Sequence, residues 1–286
     1  MSKHKRLFLF AGYAPDGIVN DALVYYIAEL SKHGDIVLFM DCNSPKSELN
    51  KVQQYCLYAA AHRHCEYDFG SYKRAFQYAK EQDILKNYEN IYLVNDSVYG
   101  PMINILPTLQ RIENCKTDAS GLVISHHRTH SYMESWFIRL NSKIFMSKWF
   151  DSFISSVTQQ ADKTFVTIKY EHGLSNLIKE HGYTWDGVYH VRGRYTYNHP
   201  KQLFLRGCPF IKKVSFIRHN GAIGNQIKYI LAHSDAVARE SVIKTANVLH
   251  GEKYMRNFLT RNPIKIMARK ITYVIYKLKG WRTWKN

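Results

Sequence analysis

Apolar residues in the first half of the chain fall into short unbroken runs separated by stretches of helical period. Arg6–Gly12 (RLFLFAG), Asp35–Met40 (DIVLFM), residues 90–94 (NIYLV) and residues 121–125 (GLVIS) have the length and continuous apolar character of strands buried on both faces. Residues 18–33, 44–61 and 72–85 instead repeat apolar positions at three- and four-residue steps. Gly34 stops the first of these helices, and Ser44-Pro45 opens the second as N-cap and first helical position. Strands and helices alternating in this way predict an α/β fold with a mostly parallel sheet flanked by helices. The second half is less regular, with helices predicted over residues 131–140, 147–157 and 173–181.

After Tyr254 the pattern changes. Ile264, Met267, Ala268, Ile271, Val274, Ile275 and Leu278 form one apolar helical stripe. Lys265, Arg269, Lys270, Lys277 and Lys279 lie off it, and Trp281 and Trp284 follow. Charge sharpens the contrast. The chain has 40 Lys and Arg against 23 Asp and Glu, a net charge of +17; residues 253–286 hold ten of the basic residues and no acid, leaving +7 for the rest. An amphipathic basic helix ending in tryptophans fits an anionic membrane surface, and the competing reading docks it on the protein's own core. The expected division is therefore a globular domain over 1–252 and a basic, membrane-associating tail over 253–286. No helix-turn-helix, ribonucleoprotein or zinc-finger pattern accompanies the charge, so no nucleic-acid partner is expected.

The five cysteines (Cys42, Cys56, Cys65, Cys115, Cys208) are odd in number and contain no C-x-x-C pair, which points to reduced thiols. Residues 7–11 are too short for a signal peptide and no run approaches a membrane span. The expected location is the cytoplasm, peripheral at the inner face of the cell membrane.

In parallel α/β sheets, ligands sit beyond the carboxyl ends of the strands. Asp41, Asp68 and Asn95-Asp96-Ser97 all fall at or just past such ends. One carboxylate with two neutral oxygens at Asn95-Asp96-Ser97 is a hard-ligand set for Mg²⁺ or Mn²⁺ on a diphosphate. The same residues also serve an ordinary strand-to-turn junction. Three histidines in Ser125-His126-His127-Arg128-Thr129-His130-Ser131 do not follow H-E-x-x-H and include no acidic ligand, which argues against zinc.

Tyr67-Asp68-Phe69-Gly70-Ser71-Tyr72-Lys73 and Tyr92-Leu93-Val94-Asn95-Asp96-Ser97-Val98-Tyr99-Gly100-Pro101 resemble the rhamnan synthesis protein F family. Glu171-His172-Gly173-Leu174-Ser175 and Gly207-Cys208-Pro209-Phe210-Ile211-Lys212 extend the resemblance, which covers about Arg6 to Lys213. It implies a GT-A-like glycosyltransferase moving a sugar from a nucleotide-sugar donor onto a lipid-linked oligosaccharide acceptor of a bacterial rhamnan, O-antigen or capsule. It further implies that Asn95-Asp96-Ser97 takes the place of an Asp-x-Asp metal motif, with Asp96 the metal and diphosphate carboxylate. Asp41, Asp68 and Gly70 would join it around the donor, Gly70 by letting the backbone approach closely at a helix starting near Ser71. His130 and Ser131 would face acceptor or donor phosphates, and Lys212 would bind phosphate. Glu171, opening a helix, is the candidate general base of an inverting transfer. Two other classes remain beside the enzyme: a catalytically silent scaffold of a polysaccharide assembly complex, and a basic nucleic-acid-binding protein.

Overall fold

The computed structural model describes residues 6–217, 223–260 and 262–278; Lys279, Trp281 and Trp284 lie outside the described residues. The chain divides into two compact units, Met1–Asp96 with Ile105–Gly193, and Ser97–Asn104 with Arg194–Asn286.

The first unit is an α/β layered structure. Its strands are β1 (Arg6–Gly12), β2 (Asp35–Met40), β3 (Tyr58–Ala61) and β4 (Asn90–Asn95). After β5 (Val98–Tyr99), which belongs to the second unit, come β6 (Ala119–His126), β7 (Ser131–Met133), β8 (Phe137–Asn141) and β9 (Trp185–Arg192). The sheet runs β3-β2-β1-β4-β8-β6-β7, with β9 also paired to β6. Pairings β1–β2, β2–β3, β1–β4 and β6–β9 are parallel. Those of β8 with β4 and β6, and of β7 with β6, are antiparallel. The sheet is therefore mixed and mostly parallel, as the alternation predicts.

Helices α1 (Asp21–Ser31), α2 (Lys46–Gln53), α3 (Tyr67–Glu81) and α4 (Leu106–Glu113) cover the sheet. Every residue of β1 after Arg6 is buried, because both of its faces are covered. Leu7, Leu9 and Ala11 share a core with Phe69, Tyr72 and Phe76 of α3. On the other face, Phe10 meets Tyr26 of α1 edge-on with ring centroids 5.2 Å apart.

Three expected elements differ. Residues 44–61 do not form one helix: α2 stops at Gln53 and Tyr58–Ala61 becomes an edge strand against β2. Residues 131–140 form strands β7 and β8 instead of a helix, since both pair along β6. Helix α3 starts at Tyr67 and not near Ser71, which puts Asp68 in its first turn.

In the second unit, β5 pairs antiparallel with β10 (Ile211–Lys212). Helices Ile223–Ala232, Ala236–His250 and Glu252–Phe258 follow. The C-terminal helix spans Pro263–Leu278 and is tied to its unit by Arg269, which donates to the Phe258 carbonyl at 2.9 Å. Its apolar stripe faces outward: Ile264 is 77% exposed, Met267 60% and Val274 51%. Among the described residues, no helix is long and apolar enough to cross a membrane.

One network fastens β1, β4 and α4 together. Glu113 accepts from Arg6 Nε at 2.5 Å and Nη2 at 2.8 Å, and from the Tyr92 hydroxyl at 2.7 Å. Burial raises the Glu113 pKa, but the bonds from Arg6 and Tyr92 outweigh it and leave the carboxyl below the usual range. A depressed carboxyl contributes stability that is present above its unfolded pKa and lost as pH falls through the folded one. Glu113→Ala should cost about 1.5–3 kcal/mol in urea denaturation at neutral pH, because it strands a guanidinium and a buried phenol. The gap between variant and wild type should narrow below about pH 4; a pH-independent gap would mean that packing alone is lost.

Candidate functional site

The chain runs outward through β1, β2 and β3, then returns to the other side of β1 as β4. That reversal leaves the carboxyl ends of β1 and β4 at a topological switch point, where open sheets bind ligands. Ala11 pairs with Asn95 on one side and with Phe39 on the other, so the three strands end level.

Asp41 stands just past β2, its own N–H bonded to the Gly12 carbonyl at 2.9 Å. Its Oδ1 accepts the backbone N–H groups of His64 at 2.8 Å and Cys65 at 2.9 Å, with Arg63 Nη1 at 3.1 Å. Burial pushes the Asp41 carboxyl up, but these N–H groups and the nearby cations outweigh it and hold it below the usual range. Asp41 therefore fixes the loop from β3 to α3 in place. Cys65 in that loop and Tyr67 at the head of α3 adopt left-handed backbone angles, φ 59° and 57°. His64 accepts from the Glu66 N–H through Nδ1 at 3.1 Å, which leaves Nε2 as the donor to Ser71 Oγ at 3.0 Å. Burial, with Arg74 nearby, lowers the His64 pKa to about 4, so the ring is neutral at physiological pH.

Gly70 permits a close approach, and the groups that approach are protein side chains. A Cβ there would meet Glu66 Cβ at 2.3 Å and His64 Cε1 at 2.8 Å. Two residues earlier, Asp68 Oδ2 accepts from the Asn95 amide at 2.9 Å, joining the first turn of α3 to the end of β4. Asp96 is 8% exposed and sits at the switch point, its N–H donating to the Ala11 carbonyl at 3.2 Å. The buried Tyr26 phenol titrates well above its ordinary value, first through burial and then through the Asp96 charge.

A divalent cation held by the protein alone does not fit these residues. Among the described residues no three His, Cys, Asp or Glu side chains group to hold a metal ion. Asn95 turns its amide nitrogen to Asp68 and presents no oxygen on that side. Asp96 suits only a cation whose other ligands are diphosphate oxygens and water, which Mg²⁺ accepts readily.

Glu171 lies within a π-helical turn, Thr167–His172, that runs directly into the helix Gly173–Glu180. Such turns recur at functional sites because the extra residue re-aims side chains. Glu171 Oε1 accepts from the Ser135 N–H, and the Ser135 carbonyl accepts from the Tyr72 hydroxyl at 2.9 Å. Tyr72 is fully buried and titrates well above its ordinary value through burial first, then the charge of Asp68, with Glu171 adding to it. One phenol thus feels both the Asp68–Asn95 pair and the candidate base.

The hairpin from β6 to β7 carries His130 and Ser131. Ser131 Oγ pairs with His126 Nδ1 at 2.7 Å, and the His130 ring packs on His172 with centroids 4.6 Å apart. The structure thus brings His130 beside Glu171's neighbour. Glu134 was not singled out in the sequence, because residues 131–140 read as a helix. It is a buried acid between β7 and β8, and its Oε2 accepts from Trp136 Nε1 at 2.7 Å. Its signal was Glu134 itself, an acid set among Met133, Trp136 and Phe137.

In the second unit, Ser97 and Lys212 meet although they are 115 residues apart: Lys212 Nζ donates to Ser97 Oγ at 3.2 Å. The Met102 N–H, one residue past the Tyr92–Pro101 segment, donates to the Pro209 carbonyl at 2.7 Å within the Gly207–Lys212 segment. At Gly100 (φ +134°) a Cβ would come within 2.6 Å of that same carbonyl, so only glycine fits.

The chain matches no curated protein. A family model for rhamnan synthesis protein F matches residues 38–277, which take in the end of β2, all of β3 to β10, Asp41, Asp96, Glu171 and most of the C-terminal helix. Since that match spans well over half of the 286 residues, the chain belongs to the rhamnan synthesis protein F family.

Proposed function

We propose that the chain is a GT-A-like glycosyltransferase that moves a sugar from a nucleotide-sugar donor onto a growing rhamnan-type polysaccharide. The family match supports a role in rhamnan synthesis. The observation that carries the transferase reading is Asp96 at the β1–β4 switch point, next to Asn95, whose partner Asp68 acts on the same Tyr72 phenol as Glu171.

In this reading the donor diphosphate lies at the end of β4. Mg²⁺ or Mn²⁺ bound with the donor would take Asp96 as its protein carboxylate and neutralise the departing charge. Asp41 acts on the donor side by holding the loop from β3 to α3. Within the second unit by itself, Lys212 and Ser97 pair an ammonium with a hydroxyl, a combination suited to a phosphate oxygen. Glu171 takes the proton from an acceptor hydroxyl as its oxygen bonds to the anomeric carbon. The carbon–oxygen bond to the diphosphate breaks on the opposite face, its electron pair leaves with the nucleoside diphosphate, and the configuration inverts.

The C-terminal helix fits attachment to an anionic membrane at the cytoplasmic face, near a lipid-linked acceptor. Its outward apolar stripe is flanked by exposed Lys265 and Lys270. An apolar stripe and basic residues together supply the two signals that stable interfacial binding requires.

Three measurements test these assignments. A nucleotide sugar at 100 times its dissociation constant should stabilise the wild type by about 2.7 kcal/mol. Asp96→Asn should abolish that gain with the unliganded melting temperature unchanged; retained stabilisation would sink the Asp96 assignment. Glu171→Gln should reduce turnover by about 10²- to 10⁴-fold at nearly constant donor affinity. A lost donor affinity with turnover kept would make Glu171 a binding residue instead. Truncation before Pro263 should abolish binding to anionic vesicles, and the full chain should bind them less as salt rises past the point where screening falls to about 8 Å. Vesicle binding by the truncated protein would place the contact elsewhere.

A further inference from the structure

The turn between β6 and β7 gathers more rings than a hairpin needs. His127, His130 and Tyr132 lie within 21° of parallel to one another, with centroids 4.9, 5.6 and 6.0 Å apart. All three separations are short, so the rings group around one centre and do not pile into a column. His172 tilts against this group, 4.6 Å from His130 and 4.0 Å from Tyr132. His127 and His130 are exposed, and Tyr132 and His172 are partly so. No core demands this arrangement.

Two further features give the ring group chemistry. His172 Nε2 is buried without a hydrogen-bond partner among the described residues, a costly state unless a ligand or water fills the gap. Two carboxylates stand close by: the Tyr132 phenol is pushed up to about 12, first by burial and then by the charge of Glu171, with Glu134 adding to it. His172 is held near 4, chiefly by burial and then by His130 and His127, so its ring is uncharged at physiological pH.

These features select a ligand class. Two carboxylates beside an uncharged imidazole repel a phosphate. The negative faces of aromatic rings attract the weakly positive C–H groups on one face of a pyranose. The hydroxyls at its rim need polar partners, and His172 Nε2 offers one. We infer that His127, His130, Tyr132 and His172 form a sugar-binding platform that seats the C–H face of the acceptor's terminal pyranose next to Glu171. The word acceptor rests on the transferase reading proposed above; sugar binding rests on the rings alone. The assignment replaces a phosphate-facing role for His130 by stacking.

The test uses the full chain labelled with ¹³C at histidine Cε1. It is titrated with the methyl glycosides of rhamnose, glucose, galactose and N-acetylglucosamine, followed by NMR. The imidazole signals of His127, His130 and His172 should move together with at least one glycoside and saturate. His130→Ala should weaken that binding by about 2- to 10-fold, the range expected for one ring contact, and His130→Phe should restore it. His172→Phe keeps the ring but removes Nε2, and should also weaken binding. Silence of these signals toward every glycoside overturns the inference, as does a titration unchanged in His130→Ala. If uridine or thymidine diphosphate moves them in place of the glycosides, the rings hold a nucleobase and the inference is again overturned. Thermal stabilisation by nucleotide sugars is read on the same protein. Its absence, with glycoside binding intact, would sink the transferase reading and leave the platform standing.

Discussion

The Asp41 carboxylate takes two backbone N–H groups and a guanidinium, and the arrangement of the first unit's ligand edge depends on that contact. Parallel strands cannot be joined by tight hairpins, so each returns through a helix and their carboxyl ends gather at one edge. The loop from β3 to α3 must cross that edge. Cys65 in it and Tyr67 at the head of α3 hold left-handed backbone angles, each costing about 1–3 kcal/mol for a non-glycine residue. Charge-assisted bonds to Asp41 offset that cost. With the loop fixed, Glu66 meets Lys73 and Arg74 of α3 at 2.7 and 2.6 Å, and Gly70 leaves room for Glu66 and His64. Helix α3 then starts where Asp68 reaches Asn95.

A second set of constraints converges on Ser135. Its N–H and carbonyl are both taken, by Glu171 and by Tyr72. The π-helical turn places Glu171 where it can accept that N–H, and Ser175 ties the same turn to β7 by accepting from the Met133 N–H at 3.1 Å. A backbone N–H donated to one oxygen orients the Glu171 carboxylate, which the proposed role of general base would require. The histidine-rich hairpin stands on the same scaffold, since His172 follows Glu171 in the turn.

The C-terminal helix obeys a different logic. Within its unit it is tied by a guanidinium-to-carbonyl bond and leaves Ile264, Met267, Ile271, Val274 and Ile275 exposed. A helix packed for stability does the reverse. The proposed attachment to an anionic membrane would cover those exposed residues, and the chain carries no acid beyond residue 252.

The sequence alone was enough for the alternation of strand and helix, the parallel strands β1, β2 and β4, and the polar residues at the ends of β2 and β4. These are written in local periodicity and in the residue types that end strands. The same local signals misjudged residues 44–61 and 131–140. Tyr58-Ala59-Ala60-Ala61 has helical propensity, yet pairing with the edge of β2 overrides it. Strand β7 is only three residues long, and β8 sets Arg139 and Asn141 on the same face as Phe137, so neither shows a sustained period of two. The helices over residues 223–258 are a further omission, although Ile223, Ile227, Ile230 and Leu231 fall at helical spacing. Nor could spacing show that Asp41 anchors a loop, that Gly70 packs under Glu66, or that Ser97 meets Lys212 across 115 residues. Hydrogen bonds and ring contacts between distant positions leave no periodic trace. His130, Tyr132 and His172 are ordinary residues in the sequence, and only the folded chain, by placing a hairpin against a π-helical turn, makes them one surface.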